Sequence, residues 1–119
     1  MTEIIKGQPL RFDVNIDIDG TPKSIDDLAG LEYWVYTYAN DIKKFSRDGK
    51  TGYIQMTRID EFNYYFDLLG SDTKDMSDGT LKYDIYYAET DTTISTGVWE
   101  PLKSVTTDLY LKYSAITDR

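Results

Sequence analysis

Leu10-Arg11-Phe12-Asp13-Val14-Asn15-Ile16-Asp17-Ile18 alternates apolar and polar residues at every step. On an extended chain a period of two sends Leu10, Phe12, Val14, Ile16 and Ile18 to one face and Arg11, Asp13, Asn15 and Asp17 to the other. The stretch reads as one long half-buried strand. Asp19-Gly20-Thr21-Pro22 ends it with turn-forming residues.

The same period recurs along the chain. Leu31 to Ala39 reads as a strand with Trp34, Tyr36 and Tyr38 on one side and Leu31, Tyr33 and Val35 on the other. Ile42 to Ser46, Tyr53 to Thr57 and Asn63 to Leu69 read as shorter strands, and Lys43-Lys44 suits an exposed edge. Arg47-Asp48-Gly49-Lys50 is a hairpin signal. Thr80 to Ala88 alternates again, with Leu81, Tyr83, Ile85 and Tyr87 on one face. Val105, Thr107, Leu109, Leu111 and Tyr113 form a closing strand. Before it, Val98-Trp99 begins a short strand that Pro101 interrupts, so a bulge or an edge is expected there.

Between these strands the chain is polar. Ser24 to Leu28 has room for one helical turn with Ser24 at its N-cap. Gly70 to Gly79 and Glu89 to Gly97 read as loops, and Ser114 to Arg119 as a frayed terminus. The sum is seven to eight short strands and no long helix, in one domain spanning residues 1–119, with 113–119 trailing from it. That pattern predicts an all-β fold, an antiparallel immunoglobulin-like β-sandwich. Its expected core includes Phe12, Val14, Ile16, Val35, Phe66, Leu68, Tyr83, Ile85, Leu109 and Leu111.

Composition narrows the chemistry. The 119 residues include no cysteine and no histidine, so disulfides, thiolate metal sites and the commonest general base are all excluded. A net charge of −8 with no basic cluster argues against nucleic acid as a partner. No apolar run approaches the roughly 20 residues of a membrane helix, and Met1 to Lys6 lacks the layout of a secretion signal, so no membrane partner is expected and the chain is expected to stay in the cytosol.

Asn15-Ile16-Asp17-Ile18-Asp19-Gly20, with Asp26 at the twelfth position, approaches a calcium-binding EF-hand loop. The match fails on that loop's own rules. The first ligand is an Asn, the ninth position is Lys23, Asp26 is a methylene shorter than the bidentate Glu, and no helices flank the loop. Asp72, Asp75 and Asp78, like Asp26-Asp27, are read as turn residues and not as a metal site. No phosphate loop or nucleophile elbow is present, and no carboxylate pair has a reason to be buried. The expectation is a protein that is not an enzyme and has no cofactor and no metal.

The tyrosines, eleven in number, exceed what one core absorbs. A two-layer sandwich buries one face of each sheet, yet Tyr33, Trp34, Tyr36 and Tyr38 add bulk on both faces of one strand. Trp34, Tyr36 and Tyr38 share a side by period two, and Tyr86 joins them if the two strands are neighbours. Trp and Tyr are frequent interface anchors, so these four residues are the candidate interface, in a homo-oligomer or with other proteins. A carbohydrate-binding or bacterial surface adhesion module, using the same aromatics as a sugar platform, is the competing reading.

One pattern goes beyond composition. Ile5-Lys6-Gly7-Gln8 leads into a strand, followed by Asp19-Gly20-Thr21-Pro22, then Leu28-Ala29-Gly30 and another strand. Later come Tyr64-Tyr65-Phe66-Asp67-Leu68, Thr73, and Gly79-Thr80-Leu81-Lys82-Tyr83-Asp84-Ile85. From about Lys6 to Leu111, this order resembles the N-terminal domain of the phage baseplate upper protein family, which opens with "KGD" and a strand, then "DG-P-DL-G", then a "G-Y-Y-I" strand. Gln8 stands where that family has an acidic residue, and Leu81 where its late strand has its first aromatic. The resemblance implies an immunoglobulin-like module of a tail, baseplate, head fibre or capsid decoration. Its partners would be other virion proteins. It would be made in the host cytoplasm and assembled into the virion.

Overall fold

The computed structural model describes residues 2–38, 41–90 and 100–112. Of the segments read from the sequence, Ala39, the loop at 91–97, Val98-Trp99, Tyr113 and the tail at 114–119 lie outside the described residues. The chain is mostly β. Its strands are β1 (Thr2–Ile5), β2 (Leu10–Val14), β3 (Ile16–Ile18), β4 (Thr21–Lys23), β5 (Gly30–Tyr36), β6 (Lys43–Ser46), β7 (Ile54–Gln55), β8 (Thr57–Asp60), β9 (Asn63–Leu68), β10 (Gly79–Ala88) and β11 (Glu100–Lys112). A single short helix, α1 (Gly70–Asp75), lies between β9 and β10 among the described residues.

A six-stranded sheet runs in the order β1-β11-β10-β5-β6-β7, and a three-stranded sheet runs β2-β9-β8. They meet through rings. Phe66 of β9 stacks on Phe45 of β6 at 4.2 Å and on Phe12 at 5.0 Å, and meets Tyr33 of β5 edge-on at 5.4 Å. Around this contact Val14, Ile16, Leu31, Val35, Leu68, Leu81, Ile85 and Leu111 are buried. Of the expected core, Phe12, Tyr83 and Leu109 are only partly buried and pack on its margin.

The strand expected over Leu10 to Ile18 is two. β2 pairs with β9, whereas β3 leaves that sheet after Asn15 and pairs with β4 in a two-stranded ribbon. The alternation survives the break, with Val14 and Ile16 both buried, which is why the sequence shows no seam. Asp19 (φ 53°) and Gly20 (φ 81°) close the ribbon with two left-handed residues, the geometry of a tight hairpin turn.

The sheets are not purely antiparallel. β1 pairs parallel with β11, and β6 pairs parallel with β7. Arg47 to Lys50 therefore does not make the expected hairpin. Two successive turns, with Lys50 N–H donating to Asp48 O and Tyr53 N–H to Lys50 O, reverse the chain twice. Such splitting, together with β1, yields eleven described strands where seven to eight are expected. β11 carries Pro101 inside a long strand. The register slips there, from Ile85 opposite Lys103 to Tyr86 opposite Pro101, so the proline sits at a bulge.

Residues 70 to 79, expected as a loop, contain α1. Leu69 N–H donates to the Asp72 carboxylate at 2.9 Å, capping the first turn, and the helix buries Thr73 completely. Met76, just beyond it, is also buried. Ser24 to Leu28 is a turn in which Asp27 N–H donates to Ser24 O, and the Ser24 hydroxyl donates to Glu61 instead of capping a helix.

Candidate functional site

Successive residues of β5 project to opposite sides. Leu31, Tyr33 and Val35 enter the core, which leaves Glu32, Trp34 and Tyr36 on the outer face of the six-stranded sheet. β10 is the neighbour of β5, with Asp84 opposite Trp34 and Tyr86 opposite Glu32. This register sets Trp34 and Tyr86 on a diagonal, and their rings meet at 5.0 Å, tilted by 52°. On the other flank, β6 places Lys44 opposite Trp34. The Lys44 ammonium lies 4.4 Å from the centre of the indole and 5.6 Å from the ring of Tyr53.

Polar groups lock this surface. The Trp34 indole N–H donates to Glu32 at 3.0 Å, and Lys50 pairs with the other Glu32 oxygen. Together they cover the Glu32 side chain, which keeps only 5% of its exposure although it lies on the outer face. The Tyr36 hydroxyl donates to Asp84 at 3.0 Å. Burial, and then the Asp84 carboxylate, push the Tyr36 phenol above its ordinary range, and burial followed by the charge of Glu32 does the same for Tyr53. The face is thus a fixed mosaic of rings and paired charges.

Of the four candidate residues, Trp34, Tyr36 and Tyr86 come together on this face. Tyr38 does not join them. β5 ends at Tyr36, and Asp41 turns the chain by accepting from the Tyr38 N–H at 3.0 Å and from the Thr37 hydroxyl at 2.9 Å. Tyr38 is exposed, with its ring against the backbone of Gly79. Sequence reasoning missed Glu32, Lys44, Lys50, Tyr53 and Asp84. Glu32 and Asp84 were legible as same-face neighbours of Trp34 and Tyr86. Tyr53 and Lys50 come from a segment whose turn residues signal one reversal, not the two that occur.

The loop carboxylates are engaged elsewhere. Asp26 accepts from the Arg58 guanidinium at 2.8 Å and from the Tyr64 hydroxyl at 2.6 Å, and these contacts hold its carboxyl below the usual range. Asp72 caps α1, and Asp78 pairs with Lys6 at 2.8 Å. No group of three His, Cys, Asp or Glu residues placed to hold a metal ion occurs among the described residues. No helix among them is long and apolar enough to cross a membrane.

No protein-family model, curated protein or solved structure matches the chain.

Proposed function

We propose that this chain is a non-enzymatic structural module of a phage or prophage virion, an immunoglobulin-like sandwich that holds neighbouring virion proteins through the Trp34–Tyr86 face. The observation that carries the reading is the pair of large rings in contact on the outer face of the sheet, among Lys44, Tyr53 and the Glu32–Lys50 pair. A tryptophan and a tyrosine already held in place lose little side-chain freedom on association and anchor an interface well.

The strand order supports the immunoglobulin-like reading. β11-β10-β5 matches the three-strand G-F-C sheet of that fold, and β2-β9-β8 matches strands B-E-D of the opposite sheet. The opening Lys6-Gly7-Gln8 motif and Thr73, both part of the resemblance to the baseplate family, also meet in space. Gly7 N–H donates to the Thr73 hydroxyl at 2.8 Å, and that hydroxyl donates to Gln8 O at 3.2 Å. Against a sugar platform stands the Lys44 ammonium, which occupies the indole face that a pyranose ring would need.

The test is the Trp34→Ala, Tyr86→Ala double variant. Sedimentation reads self-association, and co-purification with virion particles reads partner binding. A variant that keeps its melting temperature and loses either association supports the proposal. Unfolding would make the rings part of the fold's support, and unchanged association would place the interface elsewhere. Capsid, portal or tail genes beside this one are the expected genomic context, and a hydrolase operon would favour the sugar-binding alternative.

A further inference from the structure

Where β2 leaves the three-stranded sheet and β3 begins, the surface opens into a cleft of about 220 Å³. Tyr33 and Tyr83 form its wall, stacked at 5.5 Å with their planes 17° apart, and Asp13, Asn15 and Asp17 stand on its rim. Tyr33 keeps only 4% of its exposure, and its hydroxyl has no hydrogen-bond partner among the described residues. No side-chain oxygen or nitrogen among those residues is both sealed from solvent and unpaired, so the Tyr33 hydroxyl must open onto the cleft it lines. Burial, and then the neighbouring Tyr83, push this phenol well above its ordinary range, which keeps it neutral.

The rim is equally unspent. Asp13, Asn15 and Asp17 are exposed, and none makes a side-chain hydrogen bond or salt bridge among the described residues. Arg11, two residues from Asp13, feels the Asp13 charge only as a minor contribution, and its hydrogen bonds go elsewhere. It forms a forked pair with Asp67 at 2.8 and 3.2 Å and stacks on the Tyr65 ring at 4.0 Å.

From this juxtaposition we propose that the cleft receives a guanidinium group, the side chain of an arginine on a partner protein. Among the described residues that line the cleft, acceptors outnumber donors: two carboxylates, the Asn15 carbonyl and the Tyr33 oxygen, against the Asn15 amide N–H groups and the neutral Tyr33 hydroxyl. A ligand made only of donors fits that set, whereas a sugar hydroxyl needs donors and acceptors in similar number. A guanidinium is such a ligand. It is planar, stacks on aromatic faces, is weakly hydrated and presents a fork that matches carboxylates. The volume suits one side chain, and a chain of net charge −8 draws basic partners toward it. A free amino acid would bring its own carboxylate up against Asp13 and Asp17, which is why a residue within a polypeptide is the favoured source. The proposal is independent of the Trp34 face, because Tyr33 and Trp34 project from opposite sides of β5.

The test titrates the full chain with acetyl-Gly-Arg-Gly-amide, with the citrulline peptide of the same shape and no charge, and with free arginine. Chemical shifts of the Tyr33 and Tyr83 ring protons report occupancy. The arginine peptide should saturate both rings, more tightly than free arginine and with the citrulline peptide far weaker. Asp13→Asn with Asp17→Asn should weaken binding roughly ten-fold or more, and Tyr33→Phe should weaken it while leaving the melting temperature nearly unchanged. Equal binding of the arginine and citrulline peptides, tighter binding of free arginine than of the peptide, or no saturation would each overturn the proposal. So would saturation of the same rings by glucose or by calcium chloride in place of the peptide.

Discussion

The carbonyl oxygen of Gly7 occupies the space in which a Cβ on residue 70 would stand. The first turn of α1 is thereby pressed against the turn that follows β1, and Thr73 fastens the two through Gly7 and Gln8. Lys6 adds a hydrogen bond to Met76 O at 2.9 Å. Gly70→Ala forces backbone against backbone, and neither side has a flexible end to move. It should cost about 1–3 kcal/mol in urea unfolding. Gly52 provides the comparison. It has φ 86° and nothing within 4 Å of an added Cβ, so Gly52→Ala carries only the left-handed backbone strain, roughly 1 kcal/mol. A Gly70→Ala variant no less stable than Gly52→Ala would show that the two segments do not pack as described.

Phe66 is the centre of the core, in contact with Phe12, Phe45 and Tyr33, and is 2% exposed. Phe66→Ala should destabilise the fold by about 3–5 kcal/mol, because rings from both sheets lose their common partner and rigid strands close the void poorly. Phe62→Ala, on an exposed ring of the β8–β9 turn, should change stability by less than about 0.5 kcal/mol. Equilibrium unfolding of the two variants checks the contrast.

Most strands were legible because a period of two is written locally: Leu81, Tyr83, Ile85 and Tyr87 declare the inner face of β10 without reference to anything distant. Trp34 and Tyr86 could be matched only on the condition that β5 and β10 are neighbours, since strand order is not a local property. Two kinds of feature escaped. Where β2 becomes β3 the side-chain parity continues through Asn15, so nothing in the pattern marks the change of partner. In α1 the chain is polar by composition, and the signal was only Thr73 inside the helix with Met76 three residues on at its C-cap, two buried positions too few to outweigh the Ser and Asp around them. Ile25 and Leu28, both buried, were likewise hidden in a segment read as a connection.

That connection depends on Arg47. Its guanidinium donates to the carbonyls of Ile25 at 2.9 Å, Ala29 at 3.2 Å and Leu28, and it also pairs with Asp48 at 2.8 Å. The side chain is 12% exposed, so these carbonyls have little water to turn to. Arg47→Met keeps the aliphatic stem and removes every donor. It should cost about 1–3 kcal/mol, with faster amide exchange across residues 24–30. Arg47→Lys should recover only part of this, since a single ammonium cannot reach three carbonyls in a fork. Full recovery by lysine would mean that charge alone, and not the planar geometry, holds the segment.

Asp41 makes the acid side of stability testable. Burial acts to raise its carboxyl, but the Ser77 N–H at 2.6 Å, the Thr37 hydroxyl and the Tyr38 N–H together outweigh that and hold it below the usual range. The carboxyls of Asp26, Asp60 and Asp67 are lowered as well. Hydrogen bonds are the leading cause in each: from Arg58 to Asp26, from the Phe62 N–H to Asp60 and from Arg11 to Asp67. A carboxyl lowered on folding binds its proton more readily when unfolded, so its contribution is complete above the unfolded value near 4 and disappears as pH falls through the folded value. The urea midpoint should therefore be level between about pH 5 and 7 and decline below about pH 4. Asp41→Asn keeps one acceptor oxygen but loses the charge. It should be less stable than the parent at pH 7, and the gap should narrow steadily as both are taken toward pH 2. A gap of constant size across that range would show that Asp41 contributes through shape and neutral hydrogen bonding, not through its charge.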